Sequence, residues 1–180
     1  MKIRHGADTL VELVAPIDQG ATPTAPLATA TVSAVLLDTA GDTALDAHEA
    51  AGQTVISVES VRRIVQGDTV RIEQGSAGVH ASGVSSVDIA GGTITLASGL
   101  SLAASKGSRV SVQVGPTLSL AGFNLGNANV ETTDWGYRGE ISSNHSGLEN
   151  VSTVRVEITA TQGGRVAREW FDVAVERPGA

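Results

Sequence analysis

The sequence predicts an all-β fold, an antiparallel β-sandwich carrying an inserted small β-barrel-like unit. Three observations lead there. Between Gln53 and Val114, apolar and polar residues alternate in short runs: Val55-Ile56-Ser57-Val58, Thr69-Val70-Arg71-Ile72-Glu73, Val84 to Ile89, Thr93-Ile94-Thr95-Leu96 and Arg109 to Val114. A period of two is that of strands with one buried face. Glycines stand at the breaks between these runs (Gly67, Gly75, Gly91, Gly92, Gly99, Gly107), while the runs themselves are filled by β-branched residues and Leu. This is how tight turns punctuate short strands. Lastly, the chain closes on two long alternating runs, Thr153 to Ala160 and Val166 to Val175, joined by Thr161-Gln-Gly-Gly-Arg165. That arrangement reads as an antiparallel hairpin.

Taken in order, Thr9 to Val14 reads as a first strand, with Leu10 and Val14 in its apolar pattern. Pro16 to Pro26 holds three prolines, which fix φ and remove backbone donors, so it reads as a loop or an extended arm. A surface loop and an arm lying on a neighbouring subunit both fit. Ala30 to Asp38 is a strand, and Asp38-Thr-Ala-Gly41-Asp is expected to turn it. Asp46 to Gly52 is a linker or a short helical turn at the entry to the glycine-punctuated unit. Ser60 to Gly67 could form one helical turn, with Ser60 as N-cap and Gly67 as the terminating glycine. Gly75 to Gly83 reads as a polar hairpin tip, and Ala90-Gly-Gly-Thr93 as a tight turn. Pro116 is expected to end the strand that begins at Arg109. Thr117 to Leu120 would then be a further short strand, and Ala121 to Asn129 a loop. These pieces divide into a discontinuous sandwich-like domain, residues 1–48 plus 116–180, and an inserted barrel-like domain, residues 52–115.

Composition bounds the function classes. A chain of 180 residues is long enough for one large or two small domains with a real core. A net charge of -7 argues against a basic nucleic-acid face over the chain as a whole. The local pairs Arg62-Arg63 and Arg165 with Arg168 read as solvated charges. The absence of cysteine excludes disulfides and thiolate metal sites. No apolar run approaches the roughly 20 residues of a membrane helix, so no membrane partner is expected. The opening residues carry no apolar signal-type stretch, so synthesis in a cytoplasm is expected, with export by another route left open.

Catalytic chemistry is not legible. His5, His48, His80 and His145 are scattered, with no pair at metal-ligand spacing. Asp46, His48 and Glu49 could offer two ligands, short of the three or four that zinc takes. There is no Gly-x-Ser-x-Gly elbow, and Gly75-Ser-Ala-Gly78 falls one residue short of it. Neither phosphate-binding glycine motif is present. Glu131, Asp134 and Glu140 could serve as paired carboxylates for glycoside hydrolysis only across a cleft. Trp135 and Tyr137 alternate onto one strand face, where a core or interface role competes with stacking on sugar. Trp170 and Phe171, being adjacent, point to opposite faces. No catalytic residue, cofactor-binding residue, metal ligand or cofactor is therefore assigned.

The run Val55-Ile-Ser-Val, Val65-Gln-Gly-Asp-Thr-Val-Arg-Ile, Val84-Ser-Ser-Val, Ile94-Thr-Leu, Gly99-Leu and Gly107-Ser-Arg-Val resembles a module of tailed-bacteriophage structural proteins. It covers roughly a third of the chain. The flanking strands resemble Ig-like or sandwich domains of phage neck, tail and capsid-decorating proteins. The resemblance implies a non-enzymatic virion subunit made in the host bacterial cytoplasm. It would be a homo-oligomer, meeting other virion proteins: portal or adaptor, tail, or capsid. A head–tail connector, as a stopper or neck ring, is the first expectation. Capsid decoration or minor capsid protein and a tail or baseplate component are the alternatives. Proximity to packaged DNA is compatible with this, without sequence-specific binding. A carbohydrate-binding β-sandwich module, suggested by Trp135 and Tyr137, stands as a further alternative.

Overall fold

The computed structural model describes residues 2–4, 9–15, 31–75, 78–124, 135–141, 146–162 and 165–176. The fold is all-β. Its strands are β1 (Lys2–Arg4), β2 (Thr9–Ala15), β3 (Thr31–Ala44), β4 (Val55–Ser57), β5 (Thr69–Glu73), β6 (Val79–Asp88), β7 (Thr93–Leu96), β8 (Arg109–Asn124), β9 (Trp135–Ile141), β10 (Thr153–Gln162) and β11 (Arg165–Glu176). A 3-10 turn spans Leu148–Asn150. The pairs β2–β9, β4–β7, β5–β6, β5–β8, β6–β7, β8–β9 and β10–β11 are antiparallel, and the short β1–β11 pair is parallel.

The chain divides into two compact units, Met1–Leu36 with Gly115–Ala180, and Leu37–Val114. Both divisions fall inside strands, at Leu36/Leu37 of β3 and Val114/Gly115 of β8. The sequence reading set the entry at residues 48–52 and the exit at 115–116.

In the 37–114 unit, the alternating residues of the short strands converge on one core. Ile56, Val70, Ile72, Val84, Ile94, Leu96 and Val110 are buried there with Leu45, Val58, Ile64 and Leu100 from the connections. Each such side chain contributes about 1.5–3 kcal/mol when withdrawn from water. The connections are stitched by backbone. Leu45 bridges Val58, its N–H donates to the Ser108 carbonyl at 2.9 Å, and its own carbonyl accepts from Gly107 at 2.8 Å. Glu49 exchanges two bonds with Ala104, at 2.8 and 2.9 Å. In the other unit, Val154, Val156 and Ile158 of β10 and Val173 and Val175 of β11 bury one face of the hairpin, and Ile3 of β1 is buried as well.

Several local expectations are corrected. The residues 38–42 do not turn the chain, because β3 runs on to Ala44. Asp38 satisfies the Ala40 N–H with its own carboxylate at 3.0 Å and pairs with Arg63, so its polarity serves a buried contact. Gly41 serves close packing: a Cβ there would stand 3.2 Å from both Asp38 Oδ2 and Val112 Cγ2. Pro116 does not end its strand. β8 continues for 16 residues, changing partner from β5 (through Gln113) to β9 (from Ala121). Pro116 lies between the residues of β8 that pair with β5 and those that pair with β9. Gly115 just before it takes φ 67°, a left-handed bend open to glycine.

Ser60 to Gly67 forms hydrogen-bonded turns rather than a helix, with the Ile64 N–H reaching the Val61 carbonyl at 3.1 Å. Asp46 to Gly52 is a connection that bends at 46–47, bridges Ala104 through Glu49 and turns at 51–52. The expected loop at 75–83 contracts, since β6 begins at Val79 and the hairpin closes where the Gln74 N–H donates to the Gly78 carbonyl at 2.9 Å. The alternation of His80, Ser82 and Val84 with smaller residues is that of a strand, and the glycines there mask it. The expected loop at 121–129 begins later, because Ala121–Asn124 belongs to β8. Its remainder lies outside the described residues, as do Pro16–Pro26, His5, His145, Glu131 and Asp134.

Candidate functional site

The carboxylates and histidine near the entry to the 37–114 unit are not brought together. Asp46 is exposed and pairs with Lys106 at 2.9 Å. His48 is exposed. Glu49 is 3% exposed, and its Oε1 accepts the Ser57 N–H at 2.7 Å. Glu49 is thus a buried latch between two connections. Among the described residues, no group of three His, Asp or Glu is placed to hold a metal. His80 lies on β6 with Nδ1 accepting the Ser101 N–H at 3.4 Å, and Ser101 Oγ donates to Gln74 Oε1 at 2.8 Å. The Gln74 amide reaches the Leu102 carbonyl, which ties the 97–108 connection to β5 and β6. Glu140 is exposed on β9, and Trp135 and Tyr137 occupy alternate positions of the same strand.

A cleft of about 440 Å³ lies beside Gly41, Asp42, Thr43, Ser60, Arg62 and Arg63. Its charges are largely answered. Arg63 Nε is 2.8 Å from Asp38, and Arg109 Nη2 is 2.7 Å from Asp42. The Thr43 hydroxyl accepts the Ser60 N–H at 3.0 Å. The pair Arg62-Arg63 is therefore split, with Arg63 engaged and Arg62 exposed. Such a cleft is polar but carries no convergent, unanswered cation or nucleophile.

The outer face of the β10–β11 hairpin is different. Trp170 is 59% exposed and Val166 56%, and Arg168 between them is exposed too. The Arg155 guanidinium stands 4.3 Å from the Trp170 ring centroid, a cation–π distance. Arg155 is itself held by Asp172 through Nε at 2.8 Å and Nη2 at 3.2 Å. The register explains the arrangement: Arg155 lies opposite Asp172, and Glu157 opposite Trp170. Aromatic, cation and carboxylate thus stand together on one exposed sheet face. The sequence marks the two strands, but the pairing of Arg155 with Asp172 comes from the register between them.

No protein-family model matches the chain, and no curated protein is similar to it.

Proposed function

We propose that this protein is a non-enzymatic structural subunit of a tailed-bacteriophage virion, placed at the head–tail connector as a stopper or neck component and assembling into a ring. The observation that carries the reading is where the phage-like pattern falls. Of its apolar positions, Ile56, Val58, Val70, Ile72, Val84, Ile94, Leu96, Leu100 and Val110 belong to one buried core with Val87 packed against it, while Val55 and Val65 are exposed. The resemblance therefore rests on residues that act together. On this reading the fold is a sandwich-like domain with an inserted small barrel-like unit. Support for the inserted unit comes from Leu45, which ties the end of β3 to Val58 after β4 and to Gly107 and Ser108 before β8.

Light scattering coupled to gel filtration, with negative-stain imaging of the same peak, tests the proposal. Rings or large defined oligomers are expected. Trimers would move the assignment to capsid decoration. A monomer that also binds no portal, adaptor, tail or capsid protein would sink it.

A further inference from the structure

β11 is paired by β10 from Arg165 to Ala174 on one side, but on the other side β1 covers only Ala174–Glu176. Among the described residues, no strand pairs with the remaining edge at 165–171. The Val175 N–H donates to Ser152 of the β10 side. Strand alternation then turns the N–H and C=O of Val166, Arg168 and Trp170 toward the open edge. The same three residues carry the exposed side chains of the outer face. Unpaired edge groups beside exposed apolar side chains are a template for strand addition, and proteins commonly blunt such edges with a charge. Here the charge is Arg168, which has no ion-pair partner among the described residues.

Among the described residues, β2 of the same unit pairs with β9 alone, which leaves it a second open edge there. Its sequence reads Leu10, Glu12 and Val14 at alternate positions, apolar–acidic–apolar, against apolar–basic–apolar at Val166, Arg168 and Trp170. We propose that the β11 edge receives the β2 edge of a second copy of this chain, with Glu12 opposite Arg168. Because each charge is the middle member of its triplet, the order of side chains matches in either strand direction. The Arg168 charge that repels a casual strand thereby selects the acidic one, and specificity comes from the answered charge. Trp170, steadied by Arg155 and Asp172, is the anchor of the contact. Two different edges make a heterologous contact, which propagates from copy to copy and closes into a ring when the rotation permits. This inference rests on the assembly reading above and gives it a contact.

The chain has no cysteine, so introduced thiols report without background. With Glu12→Cys and Arg168→Cys in one chain, mild oxidation should give a ladder of disulfide-linked dimers, trimers and higher species. Either substitution alone should give none. Oligomers seen by light scattering without a ladder would overturn this pairing while leaving the assembly reading in place. A chain that stays monomeric would overturn the pairing too, and binding to virion partners would then decide the assembly reading separately. In the cysteine-free chain, Arg168→Glu should weaken self-association about tenfold or more, because the pair becomes repulsive. Adding Glu12→Arg should restore it, and failure of that rescue counts against the proposal. Arg168 is exposed, so circular dichroism of both variants should match the parent.

Discussion

The strands β4 to β7 and the strand β11 use the same alternating pattern to different ends. In the 37–114 unit, β5 lies between β6 and β8, and β7 between β4 and β6. Even short β4 has a second neighbour: the Asp46 N–H donates to the Ser57 carbonyl at 3.0 Å. Connections supply partners where strands do not, as when the Ala97 N–H reaches the Gly83 carbonyl at 2.8 Å. β11 instead leaves part of one edge unpaired among the described residues and sets Trp170 and Val166 on its outer face. Backbone groups need partners wherever they lie. A unit that answers them within the chain is built for its own stability. An edge that leaves them unpaired, beside an exposed aromatic, is open to the strand addition proposed above.

That contrast predicts where substitutions act. The largest effect belongs to the closed core. Ile72→Ala or Ile94→Ala, both fully buried, should cost about 2–5 kcal/mol in urea unfolding through lost transfer energy and a residual cavity. A loss below about 1 kcal/mol at both positions would mean that the unit is loosely packed. The same unit should be intolerant at Gly99, where an added Cβ would run into the Gly52 backbone at its carbonyl carbon, 2.8 Å away, and its Cα, 3.1 Å away. Neither can yield, because the Leu100 N–H is bonded to the Gln53 carbonyl at 3.0 Å and the Gly52 N–H to the Leu100 carbonyl at 2.8 Å. Gly99→Ala should therefore cost about 1–3 kcal/mol. Gly83→Ala is the control, since its Cβ would sit 3.7 Å from Ala97 Cβ in ordinary contact.

The buried latch comes next. Glu49→Ala removes the acceptor of the Ser57 N–H, and a loss of about 1–3 kcal/mol is expected from that orphaned donor. Glu49→Gln keeps an acceptor oxygen and should recover part of the loss. Equal losses in the two variants would assign the role to charge instead of the hydrogen bond. On the open side, Trp170→Ala should change unfolding by only about 0.5–1 kcal/mol, the scale of an exposed cation–π contact. If it instead destabilised as strongly as Ile72→Ala, Trp170 would be core and the comparison between the two regions would fail.

The strands were legible in the sequence because alternation is local. Thr69–Glu73, Thr93–Leu96 and the hairpin of β10 and β11 stand where the pattern sets them. The misread places share a physical cause. Asp38 to Asp42 has the composition of a turn, yet its polar and small residues answer tertiary neighbours, Arg63 and Val112, which sequence separation conceals. Pro116 carries a strong local signal to stop. The strand runs through it nonetheless, with β5 paired before it and β9 after it, a property of the topology. On the hairpin, the opposed faces of Trp170 and Phe171 were readable. The Arg155–Trp170–Asp172 plate needed a register, and the open edge needed knowledge of how far β1 runs along β11.

The smallest expected effect sharpens the comparison from the charge side. Lys106 and Asp46 meet at 2.9 Å beside the place where Leu45 joins Ser108, with side chains 65% and 59% exposed. The hydrogen bond from Lys106 to Asp46, and then its carboxylate charge, raise the Lys106 amine above its ordinary 10.5. A raised amine pKa means the folded state holds the proton more tightly than the unfolded chain. Its contribution is fully present below about pH 10.5 and is lost as pH climbs through the higher folded value. Lys106→Met should therefore melt close to the parent at pH 7, with whatever small gap exists shrinking with added salt and again above pH 10.5. A gap that widened in alkali would reverse the assignment. A large gap at neutral pH would mean that charge, and not the paired backbone of Leu45, Gly107 and Ser108, holds that corner of the unit together.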